Sequence, residues 1–177
     1  MISNTPFMIT EISGKEELLS AIDETVSRLL VLMSSLDEEK VNTPPYKDSW
    51  TAGQVFRHVA KSTHGIAKAM RRESSPAERY PGERIPELKK VFLDFSVKLK
   101  SPDFIIPEEG PYQKKFISEE LIGSFGRLKE NTNNANLTDI VNGLPFGQVT
   151  KLEMLHFVLY HTERHLHQMT KICEAVK

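Results

Sequence analysis

Residues 150–175 read TKLEMLHFVLYHTERHLHQMTKICEA. Met154, Val158, His161, His165, Met169 and Ile172 recur at steps of three and four, the spacing of one helix face. Each residue turns the helix by about 100°; with His161 at zero, His165 falls at about 40°, Val158 at about 60°, and Met154 and Ile172 at about 20°. Leu155, Leu159, Leu166, Met169 and Cys173 extend this apolar arc to roughly 160°. His161 and His165 therefore lie in the arc that must be buried. His156 and His167 fall at about 220° and about 240°, beside Tyr160, Glu163 and Lys171, on the arc expected to face solvent. Four of the chain's histidines sit in this one stretch, and phase divides them into an inward and an outward pair.

The helix expected over 151–175 has its own start signal. Thr150 and Glu153 form a capping box, and Val149 is placed to meet Met154. The same device opens a second helix, expected over about 52–72, where Thr51 and Gln54 make the box and Trp50 faces Val55 as a staple. With His58 at zero, Val55, Val59, Ser62, Gly65, Ile66 and Ala69 lie within about 100° of it. Arg57, Lys61, His64, Lys68 and Arg72 gather on the arc from about 240° to about 320° as a solvated basic face. His58 points inward and His64 outward.

Two more segments carry helical periodicity. One runs over about 15–37, with Leu18, Leu19, Ile22, Val26, Leu29, Leu30, Met33 and Leu36 as its stripe and Ser13 with Glu16 as its capping box. The other runs over about 119–130 behind a Ser118 cap, with Leu121, Ile122, Phe125 and Leu128. No alternating strand pattern competes with these. The connection over 73–117 holds six prolines, and its stretch IPELKKVFLDF reads as an added short helix. Four helices with a long crossover after the second describe an all-α four-helix bundle, taken as one domain over 1–177, with the crossover packed over one end.

Composition narrows the function classes. The chain has 177 residues, 39% hydrophobic and 27% charged, with net charge −1. That is enough apolar material for a core and no global field to attract nucleic acid or anionic lipid. The basic face of the second helix is narrow and poor in aromatics, which argues against a nucleic-acid interface. No segment reads as a secretory signal or a membrane span. The single Cys173 excludes an intrachain disulfide and suits a reducing, cytoplasmic setting.

Three inward histidines remain: His58, and His161 with His165. Residues four apart share one helix surface, so the pair can chelate one ion, and a facing helix can bring the third imidazole. Three neutral nitrogen ligands with an open position are the catalytic zinc pattern, in which bound water is acidified or a thiolate held. Imidazole also suits Ni, Mn and Fe. The alternative is a set of hydrogen-bonded core histidines. Gln168, at about −20° on the same count, points toward the same place. There it could orient a ligand or satisfy backbone groups. Glu163, at about 200°, reads as a surface residue rather than a general base.

The segments SWTAGQVFRH, GQVTKLEMLHF and HTERHLHQ resemble the DinB/YfiT-like superfamily. The likeness extends over most of the chain, because four long helices with a crossover after the second is also that family's plan. It implies a four-helix bundle and a divalent metal (Zn, Ni, Mn or Fe) held by His58, His161 and His165. Relatives of this kind include bacillithiol S-transferases and mycothiol-dependent isomerases, so a low-molecular-weight thiol enters as a cofactor. The expected activity is metal-dependent: a thiol-dependent S-transferase or hydrolase acting on a small-molecule substrate. The alternative is a non-catalytic ligand-binding or stress-response protein of the same fold without metal. An apolar face on an outer helix could support a homodimer.

Overall fold

The computed structural model describes residues 14–144 and 147–177. Six helices are present among them: α1 (Lys15–Ser34), α2 (Glu38–Val41), α3 (Ala52–Ala69), α4 (Ile85–Leu93), α5 (Lys114–Asn133) and α6 (Lys151–Ala175). α1, α3, α5 and α6 form the bundle: α3 packs on α5 and α6, and α6 on α1. Leu18, Leu29, Val55, Phe56, Leu121 and Leu155 have no exposed surface and form its centre. Each such side chain contributes about 1.5–3 kcal/mol of burial.

The helix ends differ from expectation where the cap comes from elsewhere in the chain. α1 stops at Ser34 rather than near 37, and the Ser34 and Ser35 hydroxyls turn back on the Val31 and Leu32 carbonyls. Asp37 then accepts the Lys40 amide and starts α2. Leu36 in the break is still buried, so the apolar rhythm outruns the helix. Ser13, expected as a capping residue, lies outside the described residues; Gly14 occupies the N-cap. α5 begins at Lys114, ahead of the expected Ser118 cap. Glu38 of α2 accepts the Lys114 amide at 3.0 Å, and the Ser118 hydroxyl bonds back to the Lys114 carbonyl. The cap is tertiary, so no local signal marks it.

Three short strands also form, contrary to the strand-free reading: β1 (Ser74–Pro76), β2 (Asp139–Val141) and β3 (Val149–Thr150), antiparallel in that order. Strands of two or three residues are too short to display a period of two. Their role is positional. β1 follows the end of α3, and β3 leads into α6, so the sheet fastens the end of α3 beside the start of α6 and sets the two helices antiparallel.

The crossover contains the expected short helix, α4, which packs along the flank of α6 rather than only over a bundle end. Beyond it, a 3-10 turn (Asp103–Ile105) rests on α3.

Candidate metal centre

Both histidine-bearing helices start with the expected capping box. The Thr51 hydroxyl accepts the Gln54 amide at 3.2 Å while Gln54 accepts the Thr51 amide at 2.9 Å. Thr150 and Glu153 repeat this at 3.1 and 2.9 Å. Glu153 does more than cap. It is fully buried, accepts both terminal nitrogens of Arg79 at 2.6 and 2.7 Å, and accepts the Arg84 amide at 2.9 Å. Burial pushes its carboxyl up, but Arg79 and the Thr150 and Arg84 amides outweigh that and hold it below the usual carboxylate range. The start of the crossover is thereby locked to the start of α6.

His58, His161 and His165 are brought together as the phases predict, and all three are buried. One ligand atom from each lies within 4.8 Å of the others. His161 Nε2 is 3.0 Å from His58 Nε2 and 3.1 Å from His165 Nε2. The far side of each outer ring fixes its tautomer. His58 Nδ1 donates to the Ile105 carbonyl at 2.9 Å, and His165 Nδ1 donates to Gln168 Oε1 at 2.9 Å. Both Nε2 atoms are then bare lone pairs aimed at His161. A neutral imidazole carries one N–H, so His161 can answer only one of them.

Protonation does not resolve the conflict. Burial, reinforced by His165 and His58, holds the His161 imidazole well below its ordinary value. Burial and His58 bring His165 down to about 3, and burial also lowers His58. All three rings are neutral near pH 7, the form in which imidazole binds metal. The spacing suits a cation as well. Metal–nitrogen bonds of about 2.0–2.1 Å imply nitrogen separations of roughly 2.9 Å at right angles and roughly 3.3 Å in a tetrahedron.

Apolar rings wall the cluster. Phe157 stacks on His161 with centroids 5.2 Å apart, Phe92 meets His161 edge-on at 6.0 Å, and Trp50 lies 4.9 Å from His58. The cluster opens into a cavity of about 1510 Å³ between α3, α5, α6 and the crossover, also lined by His64, Arg164, His167 and Gln168.

The remaining expectations divide. Gln168 does orient a ring of the cluster. His64 and His167 stay out of the cluster, but both are only half-exposed and line the cavity; His167 stacks on Phe95 at 4.3 Å. His156 was expected on the solvent face and is instead buried, with Nδ1 3.2 Å from the hydroxyl of buried Tyr160. The reason is that α1, α3 and α4 all pack on α6, so its supposed outer arc is covered too. Glu163 turns away to α1, accepting the Thr25 hydroxyl at 2.6 Å.

The basic face of α3 is not simply solvated. Arg57 pairs with Glu108 at 2.8 Å and with Glu120, and Lys61 reaches Glu108 at 3.0 Å and the Ile106 carbonyl at 2.8 Å. Hydrogen bonds from Arg57, helped by Lys61, bring the Glu108 carboxyl down to about 2. Nearby, the ring of Tyr112 covers Gly53, where a Cβ would come within 2.8 Å of it, and its hydroxyl donates to the Glu108 carbonyl. This clasp holds in place the segment whose Ile105 carbonyl orients His58. Sequence reasoning missed it, along with Arg79. Its available signal was an acidic pair, Glu108 and Glu109, set in a proline-bounded segment opposite a basic helix face. Arg164, also unassigned, donates to the Phe92 carbonyl at 3.2 Å, to the Asp94 carbonyl at 2.9 Å and to that of Val97, holding the end of α4 against α6.

The chain is 26% identical over 159 residues to YuaE, an uncharacterized protein of Bacillus subtilis (strain 168), covering 82% of this chain and 90% of YuaE. Among solved structures it is similar to TT2238, described as a four-helix bundle protein, at 18% identity and TM-score 0.57, over 88% of this chain and 97% of that one. It is also similar to YfiT from Bacillus subtilis, described as a probable metal-dependent hydrolase with an unusual four-helix bundle topology. That match has 15% identity and TM-score 0.58, over 96% of this chain and 91% of YfiT. The model of the DinB superfamily matches residues 21–169, and the chain belongs to that superfamily.

Proposed function

We propose that the protein is a metal-dependent enzyme acting on a small molecule, with His58, His161 and His165 holding one divalent cation, Zn, Ni, Mn or Fe. The observation that carries this is the convergence of two fixed lone pairs on a third imidazole able to answer only one of them. When bound, such an ion supplies Lewis acidity, polarising a substrate oxygen and lowering the pKa of a water or thiol. Residues of the chain prepare the site: Ile105 and Gln168 hold two rings in the ligating tautomer, and Trp50, Phe92 and Phe157 keep bulk water from the imidazoles. The reaction class is hydrolysis or thiol-dependent S-transfer. The likeness to YfiT supports the first, and the motif resemblance to a superfamily whose members include bacillithiol S-transferases supports the second. In this reading residues 1–177 act as one domain.

Elemental analysis of protein purified without a histidine tag tests the proposal. About one equivalent of one of these metals is expected, and His161→Ala loses it. A metal-free wild-type protein whose melting is indifferent to chelator overturns it. Ester hydrolysis against thiol consumption with a model electrophile then separates the two reaction classes.

A further inference from the structure

The charge of the cavity points to the kind of molecule it takes. The chain as a whole carries −1, yet among the described residues nine lysine and arginine side chains line the cavity against four carboxylates. Two of those four are already matched, Glu120 by Arg57 and Glu153 by Arg79, and Glu108 outside the lining takes up Arg57 and Lys61. On the basic side, Lys68 of α3 and Arg127 of α5 have no ion-pair partner among the described residues. They sit on neighbouring stretches of α3 and α5: Asn131, one turn after Arg127, donates to the carbonyl of Ala67, the residue before Lys68, at 2.7 Å, and both cations line the cavity.

Their position relative to the imidazole cluster is set by α3. Lys68 lies ten residues after His58, about 15 Å along the helix axis. Between them Gly65 lines the cavity without a side chain, and a Cβ added there would meet nothing within 4 Å. The lining is largely apolar, with Leu88, Phe92, Val149 and Phe157 among its members. Lys68 and Arg127 are themselves exposed, so they meet solvent at the cavity's edge and draw an anion toward the apolar lining by charge.

We infer that the cavity takes an elongated anionic small molecule, a carboxylate or phosphate monoester. Its charged end is held by Lys68 and Arg127, and its other end reaches the histidine cluster. Only the role of that second end rests on the proposed metal-dependent reaction. A guanidinium offers paired donors to either anion, and the lysine adds a point charge.

The test uses 4-phenylbutyrate, 4-phenylbutyl phosphate and neutral 4-phenylbutanamide as probes. Binding to zinc-loaded protein is followed by calorimetry and ligand-observed NMR. Both anions are expected to bind at least about tenfold more tightly than the amide, and their ranking tells phosphate from carboxylate. The double reversal Lys68→Glu with Arg127→Glu is expected to erase the preference while melting temperature and zinc content stay unchanged. Equal binding of the amide, or a preference that survives the reversal, overturns the inference. The metal-free variant His161→Ala keeps the two proposals apart. A preference that persists there supports the cationic seat even if the metal reading fails. A preference that vanishes with the metal shows the anion acting as a metal ligand, and the inference falls while the metal reading stands.

Discussion

α3 and α6 begin with the same capping device and carry the same kind of inward histidine, yet they are held in opposite ways. α6 orients its own histidine: Gln168, three residues after His165, sits one turn along the same helix. α3 relies on the crossover, whose Ile105 carbonyl orients His58 from 47 residues away. At the caps the dependence reverses. Gln54 of α3 serves its helix end alone, whereas Glu153 of α6 also anchors the crossover through Arg79 and Arg84. Each helix is therefore self-sufficient at one point and dependent on the crossover at the other. The two dependences clamp that segment over the cavity from both ends.

The largest expected effect comes from breaking the cap that is not self-sufficient. Glu153→Ala removes a fully buried carboxylate with four donors, leaves Arg79 without its partner, and costs about 3 kcal/mol of stability. Urea denaturation checks this, and a loss no larger than that of an ordinary cap would remove the claim that the crossover is anchored there.

The metal-free cluster should show itself next, in the pH dependence of stability. His165 titrates at about 3 when folded, and His58 and His161 are also lowered from the usual value of about 6.5. Between the folded and unfolded values the unfolded chain binds more protons, so acid favours unfolding. Stability is full above about pH 6.5 and falls below it by up to about 1.4 kcal/mol per unit for each ring that stays neutral. Denaturation midpoints between about pH 7.5 and 5.5 measure the slope, and replacing His165 by Gln should flatten it.

A pair of substitutions then sharpens the contrast in how the histidines are oriented. Gln168→Ala is expected to weaken metal binding about tenfold, because it frees the His165 ring directly. Glu108→Ala should weaken it a few-fold, through the loosened Ile105 carbonyl, although Glu108 touches no member of the cluster. Competition with a chromophoric chelator reads both, and nitrogen NMR of the metal-free protein should show His58 leaving its Nδ1–H tautomer in the second. An unchanged tautomer in Glu108→Ala would uncouple the clasp from the ligand. The smallest effect is that of Gln54→Ala, about 0.5–1 kcal/mol in the same denaturation assay, since its bonds are local and half-exposed.

The same contrast explains what was legible in the sequence. Features made within one helix could be read from spacing: both capping boxes, the inward phases of His58, His161 and His165, and the orientation of Gln168 toward them. Features made between distant segments could not. The start of α5 depends on Glu38, the break after Ser34 hides behind the still-buried Leu36, and the burial of His156 follows from partners on several sides of α6. Helical phase says where a side chain points relative to its own axis, but not how many neighbours surround that axis. The charge match between Glu108 and the Arg57–Lys61 face was present in the composition, but only the fold shows that the two segments meet.

His58 and His161 stand 103 residues apart in the chain. An ion gripped by both would tie off a loop of that length, as a crosslink does. By the scaling that applies to disulfides, closing such a loop removes about 4–5 kcal/mol of freedom from the denatured chain. The protein would then be a thermometer of its own metal supply, melting distinctly lower whenever the ion is withdrawn.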